Sequence, residues 1–91
     1  MASGWSIEFQ PVAYKEFRQL GNKVKVEAVR AIQDLAEDPF PEGSIELRGL
    51  PNVHRIRCRR DAYRIVYRVS GKQRKVIVLR VRPRTSAYHG L

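Results

Sequence analysis

The chain predicts an α+β fold with the order β-α-α-β-β-β, in which a helical hairpin packs on one face of a mostly antiparallel sheet. Three observations carry this. Apolar and polar residues alternate near the start of the chain. Two segments with helical spacing follow, and then three more alternating segments are separated by turn signals. Ninety-one residues suit a single domain, 1–91, with one core.

The elements run as follows. Trp5, Ile7 and Phe9 alternate with Ser6, Glu8 and Gln10, which is a short strand. Pro11 suits the first turn of a helix, where its missing N–H costs nothing. Ala13, Phe17 and Leu20 share one face of that helix, and Gly21 fits its C-terminal end. Asn22 can cap a second helix, whose stripe is Ala28, Val29, Ile32, Leu35 and Ala36. Asp38-Pro39 stops it, because a residue before proline is driven out of helical geometry. A connection this short implies an antiparallel helical hairpin.

Pro39 to Ser44 reads as a loop, and Ile45 to Asn52 is irregular, with a turn signal at Arg48-Gly49-Leu50-Pro51-Asn52. Val53–Arg59, Ala62–Val69 and Lys75–Arg82 read as a three-stranded meander with turns at Arg60-Asp61 and Ser70-Gly71-Lys72. Pro83 ends it, and Arg84 to Leu91 reads as a polar tail.

Charge divides the chain. Up to Leu47 there are five Lys/Arg against eight Asp/Glu, a balance of −3; from Arg48 on there are thirteen against one, Asp61, a balance of +12, which together give the net +9. A solubilising charge would be spread evenly. This concentration fits a polyanion partner such as nucleic acid, bound largely through phosphates. Cys58 is the single cysteine, which excludes an internal disulfide and fits a reducing cytoplasm. No apolar run approaches the roughly 20 residues of a membrane span. The first residues, Met1-Ala2-Ser3-Gly4, show no signal-peptide pattern.

Strand alternation sorts the residues by face. In Val53–Arg59, Arg55, Arg57 and Arg59 fall on one face and His54, Ile56 and Cys58 on the other. In Ala62–Val69, Arg64 and Arg68 oppose Tyr63, Ile65, Tyr67 and Val69. In Lys75–Arg82, Ile77, Leu79 and Val81 form the expected core set, with Arg80 and Arg82 opposite. The open face is thus expected to carry Arg55, Arg57, Arg64, Arg68, Arg80 and Arg82. Like charges directly opposite one another repel, so such a face suits an anion that neutralises it better than a merely solvated surface. Cys58, His54 and Trp5 read as packing residues. Glu27, Asp34, Glu37 and Asp38 read as the solvent face of the second helix.

Several stretches resemble the RelE toxins of the RelE/ParE superfamily. These are Leu47-Arg48-Gly49-Leu50-Pro51, His54-Arg55-Ile56-Arg57, Tyr63-Arg64-Ile65-Val66-Tyr67-Arg68-Val69, and Val78-Leu79-Arg80-Val81 followed by Arg84 and Tyr88. Ala13-Tyr14-Lys15-Glu16-Phe17-Arg18-Gln19-Leu20 agrees, and the resemblance covers nearly the whole chain. It implies a cytoplasmic toxin of a type II toxin–antitoxin system. Such a toxin is a ribosome-dependent mRNA endonuclease that cleaves in the A site by attack of a ribose 2′-OH on the adjacent phosphate, without metal or organic cofactor. It also implies an acidic, RelB-like antitoxin. The implied catalytic residues are Arg57, Arg64, Arg82, Arg84 and Tyr88, with the family's C-terminal arginine falling on Arg82 or Arg84. Arg48, Arg55, Arg68 and Arg80 are the expected RNA-binding set.

This chemistry needs a base for the hydroxyl, cations for the phosphorane and an acid for the 5′-oxygen. Guanidinium groups suit the second task, and Tyr88 can stack on a base. The pair matching Arg55 and Arg57 often includes lysine in the family. Arginine stays protonated, which leaves the base open between Arg57, His89 and other groups. Two further readings follow from the same residues: a ParE-like toxin acting on DNA gyrase, and an RNA-binding member with weak catalysis.

Overall fold

The computed structural model describes residues 4–91; residues 1–3, part of the stretch read as lacking a signal-peptide pattern, lie outside the described residues. Its elements are β1 (Ser6–Phe9), α1 (Pro11–Arg18), α2 (Asn22–Glu37), β2 (Ile45–Glu46), β3 (Val53–Cys58), β4 (Tyr63–Ser70) and β5 (Lys75–Pro83). They form one five-stranded sheet in the order β1-β5-β4-β3-β2. β1 runs parallel to β5, and every other pairing is antiparallel. The α+β class is the expected one.

Both helices cover one sheet face. Ala13 of α1 and Ala28, Ile32 and Leu35 of α2 pack on Ile56, Cys58, Ile65, Tyr67, Val69, Val76, Val78 and Val81. Pro11 starts α1 as expected. Gly21, however, is the N-cap of α2 in extended backbone and not a left-handed end to α1, and Asn22 is already the first helical residue. With only Gln19–Gly21 between the helices, the glycine serves the entry to α2. Asp38 ends α2, and its Oδ1 accepts the Phe40 N–H at 2.9 Å. Tyr67, the largest fully buried side chain, donates its hydroxyl to Pro39 O at 2.7 Å and ties the loop after α2 to the sheet. No helix is long and apolar enough to cross a membrane among the described residues.

Four further expectations need correction. The irregular segment after Ser44 contains an edge strand, β2, which pairs Ile45 with Arg55 and Glu46 with His54. Two residues are too few to show a period. Arg59 does not continue β3: its φ of 57° turns the chain, and its Nη1 lies 2.9 Å from Glu27 Oε2 on α2. Ile77 and Leu79 do not face the helices. A bulge in the β4–β5 ladder pairs Val66 with Arg80 but Tyr67 with Val78, so Leu79 is an extra residue that reverses the phase of β5. Val76, Val78 and Val81 are the buried set. Ile77 pairs with Arg68 and so shares its face. Finally, the C-terminal segment is more than a polar tail. It turns back on the sheet, and Ala87 is buried with Val53 and Val66, flanked by Leu47, Leu50 and Leu79.

Candidate functional site

The open face is ordered in rows, because residues paired across antiparallel strands share a side. Arg57 of β3 pairs with Arg64 of β4, and Arg64 pairs with Arg82 of β5. Three arginines therefore stand abreast. The next row is Arg55, Val66 and Arg80, and the next is Val53, Arg68 and Ile77. Arg80 and Arg82 reach this face only because of the bulge at Leu79.

A carboxylate and a phenol complete the first row. Asp61 Oδ1 lies 3.1 Å from Arg64 Nε and 3.4 Å from Arg57 Nε, and its Oδ2 lies 3.6 Å from Arg84 Nη1. Arg64 Nη2 also donates to Asp61 Oδ2 at 3.4 Å, so one guanidinium edge grips both carboxylate oxygens. The opposite side of Arg64 donates Nη1–H to the Tyr88 hydroxyl at 2.7 Å. The fold of the C-terminal segment makes this possible. Arg84 N–H bonds to Ala62 O at 3.1 Å, Ala87 is buried, and Tyr88 then stands beside Arg64. The hydrogen bond from Arg64, with help from Arg57 and Arg84, holds the Asp61 carboxyl below the ordinary aspartate range. The bonds to Asp61 and Tyr88 in turn hold Arg64 more firmly protonated.

Arg82 is held from another direction. Its Nε lies 3.3 Å from Glu16 Oε2 on α1, while Glu16 Oε1 accepts the Val81 N–H at 2.9 Å. β1 pairs with β5 only as far as Val78, so Glu16 supplies an acceptor where the strand partner has ended. Neither Glu16 nor Asp61 was singled out from the sequence as a site residue. Glu16 left no signal there, since it sits in an ordinary amphipathic helix. Asp61 had one, as the lone acid of the basic half.

The structure thus gathers all five expected catalytic positions, Arg57, Arg64, Arg82, Arg84 and Tyr88, around the first row. The expected RNA-binding residues are less uniform. Arg68 is exposed on the same face. Arg48 is exposed in the turn before Gly49, outside the cluster. Arg55 points as alternation requires but is only 6% exposed, and its Nη1 is buried without a hydrogen-bond partner, as is Arg80 Nε. Alternation fixes a side chain's direction and says nothing of what lies over it. His54 packs between Phe40, at 5.1 Å, and Tyr67, at 5.7 Å, as expected. His89 is exposed one residue past Tyr88. Burial pushes the Cys58 thiol up, in keeping with a packing residue. No group of three or more His, Cys, Asp or Glu suited to a metal ion occurs among the described residues.

Comparison with known proteins agrees with the fold. The family model described as ParE toxin of type II toxin–antitoxin system, parDE, matches residues 7–88. The mRNA interferase toxin RelE of Escherichia coli K12 is 33% identical over 84 residues, which are 90% of this chain and 87% of that protein. In the crystal structure of the intact E. coli RelBE toxin–antitoxin complex, the matching chain has a TM-score of 0.78 at 32% identity, covering 87% of this chain and 95% of that one. The toxin–antitoxin complex RelBE2 from Mycobacterium tuberculosis gives a TM-score of 0.74 at 25% identity, covering 89% of this chain and 99% of that one. The chain belongs to the ParE toxin family of type II toxin–antitoxin systems and, within it, is a RelE-like toxin.

Proposed function

We propose that this protein is a cytoplasmic endoribonuclease that cuts mRNA in the ribosomal A site. The observation that carries the reading is the in-register row Arg57–Arg64–Arg82, with Arg84 and the Tyr88 hydroxyl gathered beside it. A ribose 2′-OH attacks the adjacent phosphorus, the 5′-oxygen leaves with a proton, and a 2′,3′-cyclic phosphate remains. The extra negative charge of the phosphorane is met by guanidinium groups that are already in place. That supply of positive charge is the task a metal ion performs in other nucleases, so the reading requires none. Tyr88 sits where it can stack on a base and fix the attack geometry. RNA-binding positions Arg48, Arg68 and Arg80 extend the surface beyond the cluster. Proton removal by Arg57 is disfavoured by guanidinium chemistry. The exposed His89 and ribosomal groups are the other candidates.

A RelB-like, acidic antitoxin is the proposed partner. Two observations support it: the net charge of +9, and an apolar groove of about 460 Å³ lined by Ile7, Phe9, Phe17, Val29, Ile32 and Ala36. An amphipathic helix suits such a groove. The RelE–RelB pairing of the structural relatives points the same way.

The deciding experiment adds the purified toxin to a translation extract and maps mRNA 5′ ends. Ends at A-site codons are expected. Intact mRNA, with inhibition of gyrase supercoiling instead, would replace this reading with the ParE-like one that the matching family model keeps open.

A further inference from the structure

Asp61 is the single acidic residue from Arg48 to Leu91, and it stands at the centre of the arginine cluster. Its two oxygens meet guanidinium nitrogens from three separate segments: Arg57 of β3, Arg64 of β4 and Arg84 beyond β5. Arg64 engages both oxygens at once, the grip that guanidinium offers equally to carboxylate and phosphate. The turn carrying Asp61 is itself unusual. Arg59, Arg60 and Asp61 have φ values of 57°, 54° and 71°, three consecutive non-glycine residues in the left-handed region. Such backbone is costly and persists where its surroundings over-determine it. Here it sets one carboxylate over a row of cations that would otherwise repel one another.

The hold is loose. The four contacts run from 3.1 to 3.6 Å, and the Asp61 side chain is 26% exposed. Charge-assisted bonds at their best are about 2.7–2.9 Å. By contrast, Arg64 meets Tyr88 at 2.7 Å. A carboxylate offers two oxygens, and a phosphodiester within an RNA chain offers two non-bridging oxygens with more room between them.

We infer that Asp61 is an internal stand-in for the RNA phosphate: it holds Arg57, Arg64 and Arg84 in a phosphate-binding arrangement in the free protein and is displaced when a phosphodiester enters. Asp61 is a positioning residue in this account, and it lowers affinity while keeping the cluster assembled. The inference rests on the proposed nuclease reading for the identity of the anion.

The test uses inorganic sulfate as the probe, titrated into the full chain and followed by the Arg64 Nε–Hε resonance. Asp61→Asn removes the charge while keeping shape, and asparagine tolerates a positive φ. Sulfate should bind this variant about three- to tenfold more tightly than the wild type, the size expected for removing one partly exposed competing charge. Asp61→Gly, also suited to that backbone, should shift the same way. Asp61→Glu keeps the charge and should stay near wild type. Equal or weaker sulfate binding by Asp61→Asn and Asp61→Gly would overturn the inference, since a merely scaffolding aspartate predicts that loss. A second readout needs no variant: saturating sulfate should move the wild-type Asp61 carboxyl carbon signal to that of a free aspartate, and an unmoved signal also overturns it. Neither measurement contains RNA or ribosomes. Failure of these measurements therefore leaves the nuclease reading standing, whereas absence of mRNA cleavage removes only the identity of the anion and leaves the displaceable carboxylate.

Discussion

Replacing Arg64 by alanine separates the chemistry of the cluster from the stability of the fold. Arg64 lies in the middle of the row, with Arg57 on one side and Arg82 on the other. Its guanidinium makes two contacts to Asp61 and one to Tyr88. Loss of those contacts is offset in part, because Asp61 keeps Arg57 and Arg84 and the like-charge row is relieved. The expected change in unfolding free energy is therefore within about 1 kcal/mol, as for other partly exposed ion pairs. Catalysis has no such compensation. Removal of one preorganised donor to a transition-state oxyanion costs roughly 10²–10³ in rate. Single-turnover cleavage on programmed ribosomes, with mRNA ends mapped by primer extension, should fall by that factor while the urea midpoint barely moves. Arg64→Lys keeps the charge and loses the two-point grip, so its rate should lie between the two. Cleavage by Arg64→Ala within threefold of wild type would refute the assignment. So would a loss that merely tracks the unfolded fraction.

Other perturbations test the supports of the site. Glu16→Gln keeps an acceptor for the Val81 N–H but loses the charge beside Arg82, so cleavage should drop several-fold with a stability change below about 1 kcal/mol. Ala87→Glu forces a charge between Val53 and Val66 and should expel the C-terminal segment; limited proteolysis should then cut after Arg84, and cleavage should fall at least tenfold as Tyr88 leaves Arg64. Tyr67→Phe leaves Pro39 O without its buried donor and should cost about 1–3 kcal/mol in urea denaturation. Burial pushes the Tyr67 hydroxyl up to about 12 from 10.0. Its contribution is therefore complete below pH 10 and lost as pH rises toward 12, a loss absent from Tyr67→Phe. Asp61 works in the opposite sense: with its carboxyl held below the ordinary aspartate range, its contribution is present above that range and disappears as acid protonates it. Asp61→Asn should flatten the acid limb of the stability profile.

Much of this architecture was legible because its signals are local. Trp5, Ile7 and Phe9 declare a strand, the Ile32–Leu35 stripe declares a buried helix face, and Asp38-Pro39 declares its end. The arginine face followed from alternation alone for β3 and β4, where pairing is regular. What stayed hidden depends on tertiary contacts. Arg55 is on the expected side but is buried, and the C-terminal segment that packs on this face through Ala87 was hidden too, since an alanine in a polar stretch carries no distinguishing pattern. Glu16 lies 65 residues from the Val81 N–H that it accepts. The edge strand β2 is too short for any periodicity, and only its neighbour β3 makes it one.

The bulge at Leu79 belongs to both groups. Val76 and Val78 set the phase of β5 by facing the helices. Continued at strict period two, that phase would bury Arg80 and Arg82 beneath α1, where unpaired guanidinium groups are costly. Read backwards from the arginines, the same rule puts Ile77 and Leu79 in the core, and that is equally untrue. No single phase satisfies the whole strand, so the segment is internally inconsistent as a regular strand. The conflict is resolved by one extra residue opposite Val66 and Tyr67. A bulge leaves a residue out of the ladder and re-aims the side chains beyond it. Here it keeps Val76, Val78 and Val81 on the helix side and delivers Arg82 opposite Arg64, which already faces Arg57. Leu79 itself then packs under the C-terminal segment that carries Tyr88. One irregular residue thus completes the row and helps seat the phenol beside it, so the feature that disguises β5 in the sequence is the one that assembles the site.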